Sequence, residues 1–582
     1  LRVVEGDETE GDEILKRLGI LSAASLAAFA VIAAAPAPKP AAVPAASVKF
    51  TDITAAAGIR FVHNAGRAGK KFLPETMGSG VAVFDADGDG WLDILFINSR
   101  DWKKGARRSL PALYHNNHNG TFTDLTKGSG LDVETYGLGV AVADYDNDGR
   151  EDVYITSLDG DRLFHNEGNG KFKDVTAASG VRNANFGNSA AWLDYDRDGK
   201  ADLFVANYVQ WSPEKDLWCS LDGAHKSYCT PESYKGVAPK LYRNLGNGKF
   251  EDVSQKAGVA DVTAKSLGVT VLDYDGDGWP DLFVANDTQP NKLYHNLKNG
   301  TFKDEAVEAG VAFSEEGTAR GAMGVDAADY DRSGRPHLLV GNFTNQMLAL
   351  YHNEGNGVFV DEAPSSSVGQ ASLLTLTFGV FFFDYDLDGL PDIFAANGHL
   401  EEEINRVQPK VTYKQAPLVF HNLGKGKFQS AVAGLGPDLA RPIVARGAAY
   451  GDLDNDGDLD VVITTNNGPA YVLRNDGGNR NHWLRVRTVG TKSNRDGLGA
   501  VVRVTSASGK QWAMVRSGSS YCSQSQLAPT FGLGADKVVQ TLEIEWPSGT
   551  KQSFANVPVN QAVTVDESRG IVPAGAPVKT AR

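Results

Sequence analysis

The sequence predicts an all-β chain: a seven-bladed β-propeller followed by a small β-sandwich-like C-terminal domain. Three observations predict it. An acidic nine-residue loop recurs seven times. Each copy sits inside a larger unit with the pattern of about four short strands. The two ends of the array each hold part of one unit.

The loop is first met in FDADGDGWLDILFIN, residues 84 to 98, as the pattern D-x-D-x-D-G-x-x-D. Positions 1, 3, 5 and 9 are Asp85, Asp87, Asp89 and Asp93 in the first copy, then Asp144, Asp146, Asp148 and Asp152 in the second. The third has Asp194, Asp196, Asp198 and Asp202, and the fourth Asp273, Asp275, Asp277 and Asp281. The sixth has Asp384, Asp386, Asp388 and Asp392, and the seventh Asp452, Asp454, Asp456 and Asp460. The fifth keeps Asp329 and Asp331 but carries Ser333 and His337 at positions 5 and 9, so it is expected to be the weakest site.

Carboxylates at alternate positions of a tight loop converge and repel, which calls for a hard divalent cation. Ca²⁺ is expected, because it accepts six to eight oxygens in flexible geometry, whereas Mg²⁺ wants fewer protein ligands and more water. No histidine or cysteine lies inside the six full loops, which argues against zinc and copper. The loop is not an EF-hand, since position 12 is apolar and the closing acid falls at position 9. The residues that follow, such as LDILFIN and ADLFVAN, are β-branched and aromatic and predict strands. A lone Asp-Gly turn needs no ion; six full copies in one register do.

Successive loops begin 59, 50, 79, 56, 55 and 68 residues apart, the scale of a solenoid, propeller or array. Each of the first six units carries a hairpin signature, from LYHNNHNGTFTDLT at Leu113 to VFHNLGKGKFQ at Val419, and five of these turns contain Asn-Gly. A glycine-led apolar run such as GSGVAVFD precedes most loops. The seventh unit has YVLRND from Tyr471 but lacks the last strand, and that strand stands alone at the other end as KFTDIT, Lys49 to Thr54. An open stack has no use for such a split. A closed ring does, because the N-terminal strand latches the last blade and removes an exposed edge.

These motifs resemble the FG-GAP or VCBS repeats of integrin-α-type propellers. The stretch from NRNHWLRVRTVGTKSNRDGLGAVVRVT through VRSGSSYCSQSQLAPTFGLG to LEIEWPSGTKQSFANVPVNQAVTV looks like an ASPIC/UnbV domain. The combination resembles the cartilage-acidic-protein-like family. The resemblance implies a secreted, calcium-binding propeller and no agreed enzymatic activity. The expected organisation is an export signal or membrane anchor at 1–35, a Pro/Ala-rich linker at 36–47, the propeller at 48–478, the ASPIC/UnbV domain at 479–567 and a disordered tail at 568–582.

The net charge of −15 is mostly ligand charge, because the seven loops hold 26 aspartates and seven divalent ions would bring it to −1. No basic patch suits nucleic acid. Lys16 and Arg17 precede an apolar run from Leu18 to Ala35, an export signal or a single N-terminal anchor. Export fits Cys219 and Cys229, which bracket a short segment of an insertion at about 211–240 and are expected to form a disulfide. Cys522 is left as a free thiol. The expected location is secreted, periplasmic or cell-surface, and the expected state is a monomer.

No nucleophile constellation stands out: G-x-S-x-G and H-E-x-x-H are both absent. His115, His165, His295, His352 and His421 share one repeat position, which points to a structural role. His399 precedes Glu401, Glu402 and Glu403 in an insertion of the sixth unit. Two functions stay open. One is an interaction scaffold that binds an extracellular protein or glycan through loops on one face. The other is an enzyme with a site at the central channel, around His399.

Overall fold

The computed structural model describes residues 48–103 and 108–573. The expected export or anchor segment, its linker and residues 574–582 lie outside the described residues.

The propeller consists of seven four-stranded antiparallel sheets. In the first blade the strands are Val81–Phe84, Asp93–Phe96, Ala112–Asn116 and Phe122–Asp124, hydrogen-bonded in sequence order. The innermost strands are the glycine-led runs, and in blades two, three, four and six every residue is buried. Alternate residues pack against the blades on either side, so the cores lie between sheets: Val153 and Ile155 join the first blade's core, Tyr154 the third's.

Five positions before each loop stands a glycine, or Ser189 in the third blade. These glycines let backbones touch. A Cβ at Gly324 would lie 2.0 Å from Phe378 O of the next blade, and one at Gly268 2.1 Å from Met323 O. The contact recurs at the seam, where a Cβ on Gly447 of blade seven would lie 2.7 Å from Ser79 O beside blade one. The N-terminal strand Lys49–Asp52 pairs antiparallel with Tyr471–Asp476, Phe50 opposite Asn475, and supplies the seventh blade's outer strand. Phe50 enters the core between blades six and seven with Phe383 and Tyr385.

The hairpin turns divide into two kinds. At Asn169-Gly170, Asn247-Gly248, Asn356-Gly357 and Lys425-Gly426 both residues have positive φ. In blades one and four the positive φ moves to His118 and Lys298, ahead of the Asn-Gly pair. There Asn119 and Asn299 instead accept hydrogen bonds from Thr121 and Thr301, so those Asn-Gly pairs are not two-residue turns.

The C-terminal domain is two four-stranded sheets around one core of Leu484, Val502, Leu542, Ile544 and Trp546. Its last strand, Gly570–Val572, pairs with Gln561–Asp566. The domain therefore runs past 567 into the segment expected to be a disordered tail, which is too short to show strand alternation in the sequence.

The segment between Val515 and Thr530 leaves the sandwich and fills the propeller's central channel. Ser520 exchanges backbone hydrogen bonds of 2.8 and 3.0 Å with Val325 of blade five. Cys522 O accepts from Val140 N of blade two, and its N–H donates to Ser189 Oγ of blade three. Gln524 pairs with Val81 and Val83 of blade one, and Gln526 N–H donates to Tyr450 O of blade seven. Sequence reading placed this stretch in a separate domain. The inner strands' free N–H and C=O groups explain why it belongs here instead, since buried backbone groups need partners.

Candidate metal centres

Each acidic loop joins the first strand of a blade to the second. The position-1 carboxylate folds the loop over itself, because it accepts the N–H groups of positions 5 and 6. All seven copies do so, at 2.6 to 3.1 Å. Position 6 has φ between 82° and 108° throughout, which is why it is always glycine. Position 4 is also left-handed, at Asn147, Arg197, Arg332, Leu387 and Asn455 as well as at glycine.

The position-9 aspartate opens the second strand. One oxygen accepts the position-2 N–H and the other accepts the backbone N–H of the asparagine in the third strand, as in Asp281 with Tyr274 at 3.2 Å and Asn296 at 2.7 Å. That asparagine is the last letter of the L-Y-H-N signature, and its side chain reaches across to the preceding blade. Asn166, Asn244, Asn296, Asn353, Asn422 and Asn475 each donate to the position-2 carbonyl of the preceding loop at 2.8 to 3.0 Å. Asn116 donates to Leu453 O of blade seven at 2.7 Å, which carries the staple across the seam. Sequence reading missed this role, although its invariance across the repeats was the available signal.

The remaining carboxylates are short of partners. The position-3 atoms Asp87, Asp196, Asp386 and Asp454 Oδ1 are buried and unpartnered. Burial pushes Asp93 and Asp281 up to about 7 and Asp392 to about 8. Asp202, Asp384 and Asp460 are pushed well above the carboxylate range, by burial first and then by their acidic neighbours. Four carboxylates this close cannot all ionise unaided.

A basic side chain from the third strand leans over each loop. Imidazoles of His115, His165, His295 and His421 lie 3.1 to 3.4 Å from the position-9 carboxylate. Hydrogen bonding to Asp281 and Asp392 raises His295 and His421 to about 9. Ligand atoms of Asp386, Asp388 and His421 fall within 4.8 Å of one another, as do those of Asp87, Asp89 and His115. The sequence argument against soft metals counted only residues inside the loop and overlooked these rings. In blades three and seven the same position is Arg243 and Arg474, with Arg243 Nε on Asp196 at 2.6 Å. An arginine cannot ligate a metal. One loop geometry serves histidine and arginine alike, so the loop does not depend on an imidazole ligand and the donor set common to all six full loops is oxygen. That set fits calcium better than zinc.

The fifth loop differs. His337 is fully buried and its Nδ1 accepts Asn353 N–H at 2.9 Å, the bond Asp makes elsewhere. The proton is thereby fixed on Nε2, which donates to Asp331 at 2.8 Å. Burial lowers His337 to about 4, so it stays neutral. His352 contacts the other Asp331 oxygen at 2.9 Å. Asp331 is thus satisfied within the protein.

At the opposite mouth of the channel, Cys219 and Cys229 form the expected disulfide, with Cα atoms 5.2 Å apart. Trp211, Tyr234 and Cys229 join Phe72, Tyr136 and Trp102 in one apolar cluster, while Trp218 is 62% exposed. His399 does not assemble with its acidic neighbours. Its Nδ1 accepts Glu401 N–H at 3.1 Å, while Glu401 and Glu402 pair with Lys71, and Glu402 also with Arg67. The channel that an enzyme reading requires is occupied by residues 517–526. Cys522 is buried there as a free thiol, and burial pushes it up to about 12.

The repeats and the C-terminal domain both match known family profiles. A profile described as FG-GAP-like repeat matches residues 85–155, 144–205, 229–284 and 273–340, and one described as ASPIC and UnbV matches 490–572. Cartilage acidic protein 1 of mouse is 27% identical over 361 residues, covering 59% of this chain and 53% of the mouse protein. The human protein is 28% identical over 344 residues, 56% of this chain and 49% of its own. The chain therefore spans about half the length of the curated relatives it matches. Among solved structures, a lectin of Agrocybe aegerita aligns with TM-score 0.34 and 19% identity over 60% of this chain and 77% of the lectin. PorZ of Porphyromonas gingivalis aligns with TM-score 0.38 and 10% identity over 82% of this chain and 59% of PorZ. The chain is an FG-GAP-repeat β-propeller protein with a C-terminal ASPIC and UnbV domain, similar in sequence to cartilage acidic protein 1.

Proposed function

We propose that the chain is an exported, calcium-stiffened scaffold that binds an extracellular protein or glycan. The observation that carries this reading is the convergence of four carboxylates in each of six loops, with a buried position-3 oxygen left unpartnered in four of them. Positions 1, 3, 5 and 9 would hold the ion, which would cancel their mutual repulsion and fix each loop. The loops' own hydrogen bonds and the asparagine staples would then transmit that order around the ring. The disulfide favours an oxidising compartment, where calcium is abundant.

The test is thermal melting in EGTA against millimolar Ca²⁺, with bound ions counted by native mass spectrometry. A ligand held only by the folded state stabilises it by about 2.7 kcal/mol per site at a hundredfold excess over Kd. Equal melting temperatures in the two buffers would overturn the reading.

A further inference from the structure

The C-terminal domain covers the loop face of the propeller, but not evenly. Over loop two, Asp496 accepts Asp144 N–H at 2.7 Å, and over loop seven Arg485 pairs with Asp452 at 2.6 Å. Over loop six, Gly534 N–H donates to Leu387 O at 2.9 Å, and over loop three Lys492 O approaches Gly199. The position-1 aspartates of these four loops are buried. At loop four the domain stands off, and it meets loop five only at the edge, where Trp512 donates to Asp329 at 2.8 Å and Ser508 O accepts from Arg332 at 3.2 Å. Asp273 and Asp329 are only half-buried, Asp275 is exposed, and a cleft of about 640 Å³ lies between the two loops and the sheet that carries Arg503, Lys510 and Glu543.

We infer that this cleft is a binding site for an acidic oligosaccharide, one bearing uronic carboxylates. Its volume lies in the range of about 300–1,000 Å³ that small-ligand sites occupy, and it lies where such sites concentrate, between two domains. The walls offer spare polar groups of both kinds. Lys510 Nζ makes no hydrogen bond among the described residues and is exposed. Arg335 lines the cleft and uses Nε on Asn353 O at 2.8 Å. Arg503 spans to Glu545 at 3.0 Å. Cations on both walls suit a carboxylate between them, and the interleaved Asp and Glu residues suit hydroxyl donors. The indole of Trp512 lines the cleft and is anchored by its N–H on Asp329 at 2.8 Å. The site rests on the calcium reading in one respect: an ion in loop four borders the cleft and offsets the charge of Asp273, Asp275 and Asp277, without which an anion would be repelled.

Calorimetric titration of the calcium-loaded full chain with tetragalacturonate tests this, with maltotetraose and hexaglutamate as comparisons. The expected result is saturable binding of tetragalacturonate alone. Lys510→Ala and Arg335→Ala should each weaken it about tenfold, the size of one charge-assisted hydrogen bond, with melting unchanged in Lys510→Ala and lowered in Arg335→Ala only by the lost bond to Asn353 O. Absence of binding while melting still responds to Ca²⁺ overturns the cleft and leaves the calcium reading standing. Melting indifferent to Ca²⁺ overturns the calcium reading instead. Equal binding of maltotetraose overturns carboxylate recognition, and equal binding of hexaglutamate overturns the assignment to a saccharide. Binding insensitive to both substitutions places the site elsewhere.

Discussion

Replacing Asn116 by Ala removes the side chain that staples the first blade to the seventh. Its Nδ2 donates to Leu453 O at 2.7 Å and Leu92 O at 3.1 Å, and its Oδ1 accepts His118 N–H at 3.0 Å. The residue is 1% exposed, so both carbonyls would be left short of partners inside the seam. Each buried unsatisfied group costs about 1–3 kcal/mol, which gives about 2–6 kcal/mol in all. Asn296 makes the matched set within the ring, to Tyr195 O at 2.8 Å, Pro280 O at 3.1 Å and from Lys298 N–H at 3.0 Å. Blades three and four stay joined by the chain itself, whereas blades seven and one are held by the strand Lys49–Asp52, the staple and inner-strand packing. Asn116→Ala and Asn296→Ala should therefore lower melting by similar amounts. Only Asn116→Ala should speed hydrogen exchange across residues 49–52 and 471–476. Identical exchange there in both variants, or a cost below about 0.5 kcal/mol for Asn116→Ala, would refute the closure argument.

Three further outcomes are expected. Native mass spectrometry should count one ion fewer than there are loops, and the double substitution Ser333→Asp with His337→Asp should add the missing one; a seventh ion in the unaltered chain would contradict the self-satisfied fifth loop. Trp211→Ala should cost about 3–5 kcal/mol, because the ring packs on Phe72 and Trp102, while the exposed Trp218→Ala should leave melting unchanged. Two of the three buried histidines are separable from the ion loops: burial lowers His63 to about 3 and His399 to about 4, so between pH 6.5 and about 4 the unfolded chain binds two protons that the native one refuses, a cost of opposite sign to that of the raised loop carboxylates. The pair's own share falls with pH by up to about 2.7 kcal/mol per unit, and the difference in urea-melt stability between the unaltered chain and the double variant His63→Gln with His399→Gln should show that slope.

The ring was legible because it is written seven times. Period, glycine-led strands and the displaced strand at Lys49 each carried the same message, and in a repeat fold such agreement outweighs local ambiguity. Turn chemistry was legible only in part: Asn169-Gly170 forms the expected turn, but the extra bonds from Thr121 and Thr301 draw Asn119 and Asn299 into another geometry. The aspartates were found, but the imidazoles and guanidiniums over them were not, since strand pairing rather than spacing brings His295 beside Asp281. His337 read as a loss of a ligand. The structure makes it a replacement, because an imidazole nitrogen can accept the same backbone N–H as a carboxylate oxygen.

The channel segment was beyond reach for a different reason. SGSSYCSQSQLAP has neither alternation nor helical period, and its residues are small and polar. Those properties are what the channel requires. The glycines that let inner strands pack also narrow the channel: a Cβ at Gly80 would lie 1.6 Å from Cys522 O. Only a slender chain rich in hydrogen-bonding groups can lie there and pair with Val83, Val140 and Val325 at once. Arg516, at the segment's entry, pairs with the buried Asp326 of blade five at 2.6 Å, and Arg485 pairs with Asp452 of loop seven. Removing the C-terminal domain would strip partners from backbone groups in blades one, two, five and seven and take the counter-charge from Asp326 and Asp452. The boundary near residue 478 is therefore one of sequence pattern. The propeller and the domain that follows it form one folding unit, since the ring's innermost hydrogen bonds are completed by the chain's last hundred residues.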